Sequence, residues 1–514
     1  MKRIIYFFFI LVTTTSCNGL FDLNVPNKNT PGIEQVLNDP SAYSGVLAGA
    51  YRDWYLNTVD WQDKYTNLAT NSDSYIGPGE QFTYYISYEK PRIDNGGPGG
   101  FQENIWVFLY KDIGAVRNIL YMTDVIGKQY KIEGEDRTYI IQANACFLLG
   151  VLNAELSLLY DKAFIITENI DIESITADDL VDASQIRDVA LNYFDRCIDL
   201  CTKNSFTNLA AMFPNNILLA DNNELKKFAS FMAARTLAYF PRYSDETPSV
   251  DWNRVKNYAQ NGITKDWFVT LPDPGWNTLT IPNWAYYDPL NTRSIWYRVN
   301  HRIINMMANP DEKSKAPWPT PSTWTNTDIQ TNAPLSSDKR LAGDFVFLNR
   351  LSSNDITFVT RPRYSQYALN RFCDVGKSVD NNTGDTYFYL KAECDLLYAE
   401  SLIRSNGDKT LAANLINNTR VGRGNLTPAS ASDPDLLRKV FYEKFVECSF
   451  TVYATPFFDR RRCELNEFKL TQYSFRELPV PYRELDIWKL QGKYDNKKPT
   501  FGGLAATKDN IAFN

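Results

Sequence analysis

Leu390-Lys391-Ala392-Glu393-Cys394-Asp395-Leu396-Leu397-Tyr398-Ala399-Glu400-Ser401-Leu402-Ile403-Arg404 is the stretch whose periodicity decides the fold class. Its spacing predicts a helix over 390–404, with Leu396 and Ala399 on one apolar stripe. Working outward, Leu411–Arg420 and Leu436–Cys448 read as two further helices, punctuated by Gly407, Gly424 and Pro428. Upstream, in Asp188–Cys201, the residues Val189, Ala190, Tyr193, Phe194, Cys197, Ile198 and Cys201 keep to i, i+3, i+4 spacing. Leu225–Phe240 is another helix, ended by Pro241. Val255, Tyr258, Ala259 and Ile263 mark one more, and Tyr139–Leu159 is a long, mostly buried one. Helices joined by short turns, each with one apolar stripe, predict a mostly α fold. The expected architecture is a frame of helix pairs of the tetratricopeptide kind, although no clean 34-residue consensus recurs.

Between these blocks the chain changes character. Residues 267–324 hold six of the 11 tryptophans (Trp267, Trp276, Trp284, Trp296, Trp318, Trp324) and eight of the 25 prolines, which forbid long helices there. A second stretch, Asn71–Phe101, reads as a loop carrying Tyr75, Phe82, Tyr84, Tyr85 and Tyr88, then Asp94-Asn95-Gly96-Gly97-Pro98-Gly99-Gly100. The expected organisation is one domain over 17–514. Its helical frame covers roughly 30–265 and 385–490, and a loop-rich part of little regular strand covers roughly 266–384. Long ordered loops on a rigid scaffold are where binding residues concentrate.

Composition narrows the chemistry. The 514 residues include 54 Lys+Arg against 60 Asp+Glu, for a net charge of −6, which argues against nucleic acid as a partner. A single histidine, His301, excludes HExxH-type zinc sites and leaves any triad chemistry to one imidazole; on its expected helix it reads as a core residue. There is no CxxC pair, so a zinc ribbon is unsupported, and Cys197 and Cys201, one helical turn apart, read as core thiols. No Gly-rich phosphate loop with the required Lys-Ser/Thr appears. Arg460-Arg461-Arg462 is a short charge run suited to ion pairs with helix carboxylates. No metal and no cofactor is expected. With 60 acids, some carboxylate pair fit for glycoside hydrolysis is always conceivable, but no local pattern singles one out.

The N-terminus reads as an address. Met1-Lys2-Arg3 precedes an apolar run, Ile4 to Val12, and then Thr13-Thr14-Thr15-Ser16-Cys17. These are the parts of a secretory signal over 1–16. An apolar run this short cannot span a hydrocarbon core, which needs about 20 residues. A cysteine directly after small residues resembles a bacterial lipobox, with Thr14 where Leu is usual. Cys17 is therefore the expected lipidated N-terminus; the alternative is an ordinary cleaved signal with Cys17 incidental.

Several short motifs, in order, resemble the SusD/RagB family of outer-membrane nutrient-binding lipoproteins. Leu390–Glu400 is similar to that family's "R-x-A-E-x-x-L-x-Y-A-E-A" helix, with Leu390 in place of Arg. Ala413-Asn414-Leu415-Ile416-Asn417-Asn418-Thr419-Arg420-Val421-Gly422-Arg423-Gly424 resembles its "A-x-x-x-I-N-x-x-R-x-R-G" run. Glu443-Lys444 with Glu447 follows "E-R-x-x-E-L", Asp459–Arg462 follows "D-L-x-R", and Leu478-Pro479-Val480-Pro481 with Glu484 follows "L-x-P-I-P-x-x-E". Cys17, then Leu20-Phe21-Asp22-Leu23 and Pro26, is like the family's mature start. The "E-G-x-R" before the aspartate and the "G-D-V-P" after the long helix are missing.

The resemblance implies a non-catalytic lipoprotein, anchored in the outer membrane and facing the cell exterior. Such a protein captures a glycan for a TonB-dependent transporter of the SusC type and touches the membrane only through its lipid. An oligopeptide ligand, as the RagB branch allows, is the first alternative; an anchored glycosidase and a ligand-free assembly scaffold are the others. Sugar rings offer flat C–H faces to aromatic side chains, while Asp, Asn and Arg read hydroxyls. Asp73, Tyr75 and Arg92 from the first loop stretch, with Trp276, Trp284, Tyr287 and Trp324 from the second, are the expected ligand-binding residues. The competing reading of each ring is an anchor that holds an irregular loop to the frame.

Replacing Cys17 with Ala is expected to release the protein from membranes into the soluble fraction, checked by fractionation with palmitate labelling. A labelled product that still pellets with membranes would contradict the lipidation assignment.

Overall fold

The computed structural model describes residues 37–59, 65–76, 101–213, 219–271, 298–308, 310, 333, 335–348, 365–371, 384–451, 454–470, 474–490 and 494. In chain order the principal helices are α1 (Tyr43–Thr58), α2 (Tyr65–Asn71), α3 (Phe101–Leu120), α4 (Thr138–Leu159), α5 (Ala183–Lys203), α6 (Asn222–Tyr239), α7 (Trp252–Gln260), α8 (His301–Ala308), α9 (Lys391–Arg404), α10 (Lys409–Arg420), α11 (Leu436–Glu447) and α12 (Thr455–Arg461). Short strands pair only in twos, all antiparallel. They include β1 (Tyr75–Ile76) with β5 (Arg298–Val299), β2 (Lys162–Phe164) with β3 (Leu180–Asp182), β4 (Trp267–Leu271) with β8 (Gly384–Tyr389), and β6 (Phe345–Phe347) with β7 (Tyr367–Leu369), beside a short hairpin at 131–136.

The fold is mostly α, and every helix expected from apolar spacing is present within a few residues of its predicted ends. Aspartates start several of them: Asp221 Oδ1 accepts from the amides of Asn223 and Glu224 at 2.8 and 2.9 Å, and Asp408 Oδ1 from those of Thr410 and Leu411 at 2.8 and 3.0 Å. α4 is apolar on every side and buried along almost all its length, so it forms the axis of the frame. It is long and apolar enough to cross a membrane, but its surface is spent on packing inside the protein. α5 crosses it at Gly150, where a Cβ would stand 2.6 Å from the Phe194 ring. Neighbours in sequence pack as pairs, α4 with α5, α5 with α6, α9 with α10, which is the helix-pair frame. Leu396 and Ala399 face inward into a small cluster with Ala412, Ile416 and Val440.

Two long helices were not among those expected from the sequence. α1 contains Gly45 and Gly49, each costing about 1 kcal/mol relative to Ala in a helix interior. It forms because Tyr43, Leu47, Tyr51, Trp54 and Tyr55 all bury fully against the frame, and that burial outweighs the two glycines. α3 follows the glycine-rich run that ends at Gly100 and packs on α4. Cys197 and Cys201 are buried free thiols, as expected.

Ionic contacts lock the second half of the frame. Arg462 grips Glu400 with both terminal nitrogens, each at 2.8 Å, and also pairs with Asp459. Lys444 donates to Glu400 and Asp459, and Arg404 to Glu400 and Glu464. Burial alone would raise the Glu400 carboxyl, but Arg462, Lys444 and Arg404 together hold it well below the usual carboxylate range. A second centre forms around Arg340, which pairs with Asp338 at 2.7 Å, Glu443 at 2.6 Å and Glu447 at 2.8 Å. Glu447 is brought to about 2: burial opposes, and Arg371, Arg340 and Arg423 prevail. The glycine closing the Arg420–Gly424 run is needed sterically, since a Cβ on Gly424 would lie 2.9 Å from Arg340 Nη2 and 2.8 Å from the Arg420 carbonyl.

The chain leaves the frame through β4 and returns through β8, hydrogen-bonded side by side from Gly384↔Leu271 to Tyr389↔Trp267. Trp267 belongs to the core: its ring lies 5.8 Å from Trp54, 4.6 Å from Phe228 and 5.5 Å from Phe388.

Candidate functional site

The two aromatic-rich stretches meet at one pair of strands. β1 ends at Ile76, in the first stretch, and β5 begins at Arg298, within the second; Tyr75 pairs with Val299 and Ile76 with Arg298. The amide of Asn300 donates to the Ser74 carbonyl at 3.0 Å, and Ser365 Oγ donates to the Val299 carbonyl at 2.6 Å. On the other side, Ser474 Oγ donates to the Asn71 carbonyl at 2.8 Å and Asn71 Nδ2 to that of Phe475 at 3.2 Å. A sequence separation of more than 200 residues thus collapses to adjacent strands.

Asp73 is the keystone of this junction. It ends α2 in the left-handed region, φ 57°, a conformation that Asp tolerates better than most residues. The Ser74 amide reaches back to the Ala69 carbonyl and the Asp73 amide to that of Thr70, both at 3.0 Å, the paired bonds of a Schellman ending. That backbone turns the Asp73 side chain inward, where it accepts from Arg302 Nη1 at 3.1 Å with neither side chain exposed. Arg302, in the first turn of α8, also donates to the carbonyls of Glu467 and Lys469 and lies 5.7 Å from the centre of the Phe445 ring.

The expected role of Asp73 and Tyr75 is therefore corrected. Both are buried, and Tyr75 packs edge-on against Phe450 at 5.0 Å, so neither presents a surface to a ligand in this structure. They hold the loop bases instead. The stretch from Asn71 reads as a loop in the sequence, whereas a partner 229 positions away draws Asp73 inside. Arg92, Trp276, Trp284, Tyr287 and Trp324 lie outside the described residues, as does Cys17. His301 opens α8 and is half-buried.

Sequence reasoning did not find a cleft of about 980 Å³ where β2, β3 and the ends of α5, α6 and α7 meet, lined among others by Arg187, Phe240, Arg242, Tyr243, Glu246 and Glu477. Its groups come from separate elements, and no local pattern announces them. The guanidiniums of Arg187 and Arg242 lie 4.5 and 4.9 Å from the Phe240 ring centre, leaving that ring little free face. Arg242 also pairs with Glu477 at 3.3 Å, and Glu246 accepts the amides of Arg242 and Tyr243 at 2.7 and 3.3 Å. At the cleft's edge, burial, with Glu477 adding to it, pushes Asp161 up to about 6 against the hydrogen bond from Tyr494. With its ring covered and its Arg242 cation engaged, the cleft is poorly suited to stacking a sugar. Among the described residues, no group of three or more His, Cys, Asp or Glu side chains could hold a metal ion.

No protein-family model matches the sequence, and no curated protein does. Solved structures do. Surface glycan-binding protein A from Bacteroides uniformis aligns at TM-score 0.59 and 15% identity, covering 87% of this chain and 98% of that one. A SusD homolog from Bacteroides thetaiotaomicron aligns at 0.55 and 16%, covering 89% and 98%. A SusD-like protein from Bacteroides fragilis aligns at 0.57 and 14%, covering 84% and 87%. The chain has the SusD-like fold.

Replacing Asp73 with Asn should cost about 3–5 kcal/mol of stability, because Arg302 is left as a buried cation without its carboxylate. Urea titration measures it; a cost below about 1 kcal/mol would mean that the pair is not what holds the junction.

Proposed function

We propose that this chain of SusD-like fold is a cell-surface lipoprotein, held in the outer membrane through Cys17, that binds a glycan and delivers it to a TonB-dependent transporter of the SusC type. The observation that carries the reading is the junction of β1 with β5, which pairs Ile76, in the first aromatic-rich stretch, with Arg298, within the second, on a helical frame of that fold. The glycan-binding protein from Bacteroides uniformis with the same fold supports the ligand class. Arg92, Trp276, Trp284, Tyr287 and Trp324 supply the contacts, with Asp73 and Tyr75 fixing the base from within. Rings stack on C–H faces, and Arg92 reads hydroxyls through its fixed fork of donors. Binding is an equilibrium with no bond made or broken.

Each well-placed ring contributes roughly 0.5–1.5 kcal/mol beyond area burial. Two or three rings with a few polar contacts give micromolar to millimolar affinity, which suits capture and release. Screening the purified protein against an oligosaccharide array identifies the ligand, and calorimetry then compares wild type with the double replacement Trp284→Ala, Tyr287→Ala. Affinity is expected to fall at least about tenfold, about 1.4 kcal/mol, with melting temperature unchanged. Unchanged affinity would place the site elsewhere; loss of folding would make these rings anchors of the loop.

A further inference from the structure

At the junction of α1 and α3, Asp112 is buried with little to hold its charge. It is 3% exposed, and its Oδ2 has no hydrogen-bond partner. Lys111 Nζ stands 3.5 Å from its Oδ1, but the lysine side chain is exposed and donates to Asp53 of α1, which is closer. Two carboxylates, one buried and one at the surface, thus share one ammonium. The place matters because the chain enters α3 at Phe101 directly from the first aromatic-rich stretch, about three turns before Asp112, and because α1 carries two glycines already.

The helices packed on α3 do not make up the deficit. α1 brings Asp53 and Arg52, whose charged groups lie 3.8 Å apart, and α4 brings no basic side chain, only the carboxylate of Glu155. Burial therefore leads, raising the Asp112 carboxyl; Lys111 lowers it and Asp53 raises it again, to about 7 against an ordinary value of 3.8. A water at Oδ2 would donate one hydrogen bond but supply no charge. A carboxyl can shed its charge by keeping its proton, which a buried guanidinium cannot do.

We propose that Asp112 is a proton-controlled latch between α1 and α3. Protonated, it is a neutral core residue that lets the two helices close. Ionised, it is an uncompensated buried charge that loosens both helices, and with them the root of the first aromatic-rich stretch.

Between the ordinary carboxylate value and about 7 the folded chain binds this proton and the unfolded chain does not. Stability therefore falls as pH rises through that window, by up to about tenfold in the folding equilibrium per pH unit, and levels off above it. Urea unfolding of the purified protein and of Asp112→Asn, which keeps the shape and cannot ionise, reads this at pH 5 and pH 8. The variant's advantage in folding constant over wild type is expected to grow at least about tenfold between the two pH values. Asp161, pushed up to about 6, is common to both proteins and drops out of the comparison. In wild type, hydrogen–deuterium exchange corrected for the intrinsic rate should show α1 and α3 losing protection between pH 6 and pH 8 relative to α5 and α9. An advantage equal at both pH values, or protection of α1 and α3 that keeps step with α5 and α9, overturns the proposal and leaves Asp112 ionised beside Lys111. If Asp112→Asn fails to fold, the exchange experiment on the wild type decides alone.

Discussion

Three consecutive arginines, Arg460, Arg461 and Arg462, are each at most 3% exposed, and elements from the whole frame converge on them. A guanidinium keeps its charge and presents five donors in a rigid fork, so burying one fixes the position of everything it touches. Arg462 locks α12 to α9 through its two bonds to Glu400. Arg461 uses no carboxylate. It donates to the carbonyls of Leu158 at 2.7 Å, Tyr239 at 2.9 Å, Pro241 at 3.1 Å and Arg476 at 2.8 Å. It thereby brings a positive charge to the C-terminal ends of α4 and α6, where unpaired carbonyls and the helix dipole both favour one. Arg460 turns toward Ser449, Phe445 and the loop junction. One short run of chain thus sets the spacing of the axial helix, the second half of the frame and the base of the loops.

Much of this was legible in the sequence, for physical reasons. Helices such as α5 and α9 have a long apolar stripe, and that periodicity survives without knowledge of the partner. The motifs around Glu400, Arg420 and Glu447 carry side chains that the structure commits to buried ion pairs, so the resemblance rested on residues the frame requires. Leu396, Ala399 and the thiols of Cys197 and Cys201 face inward as their spacing suggested. The run 460–462 was expected to pair with helix carboxylates. That holds for Arg462, whereas Arg461 found carbonyls and Arg460 a hydroxyl and a ring.

What escaped the sequence depends on distance along the chain. Asp73 and Tyr75 look like loop residues because the partner of one lies in α8 and the ring beside the other is Phe450. The helix-end signal was available in principle, as Asn71-Ser72-Asp73-Ser74 is rich in residues that tolerate a left-handed turn. α1 escaped because its glycines hide a helix that packing enforces. Trp267 sat in a tryptophan-rich stretch that composition treats as one unit, yet it closes the aromatic core beside Trp54. The cleft between α5, α6 and α7 is assembled from groups whose proximity no local pattern encodes.

Two distant stretches, on this reading, form one ligand surface on a frame that does not itself bind. Hydrogen–deuterium exchange with and without a saturating bound oligosaccharide tests it most directly. Slowed exchange is predicted in both 77–100 and 272–324, with the amides of α4, α5 and α9 unchanged. Protection centred on the cleft around Phe240 and Arg242, or in only one of the two stretches, would contradict it.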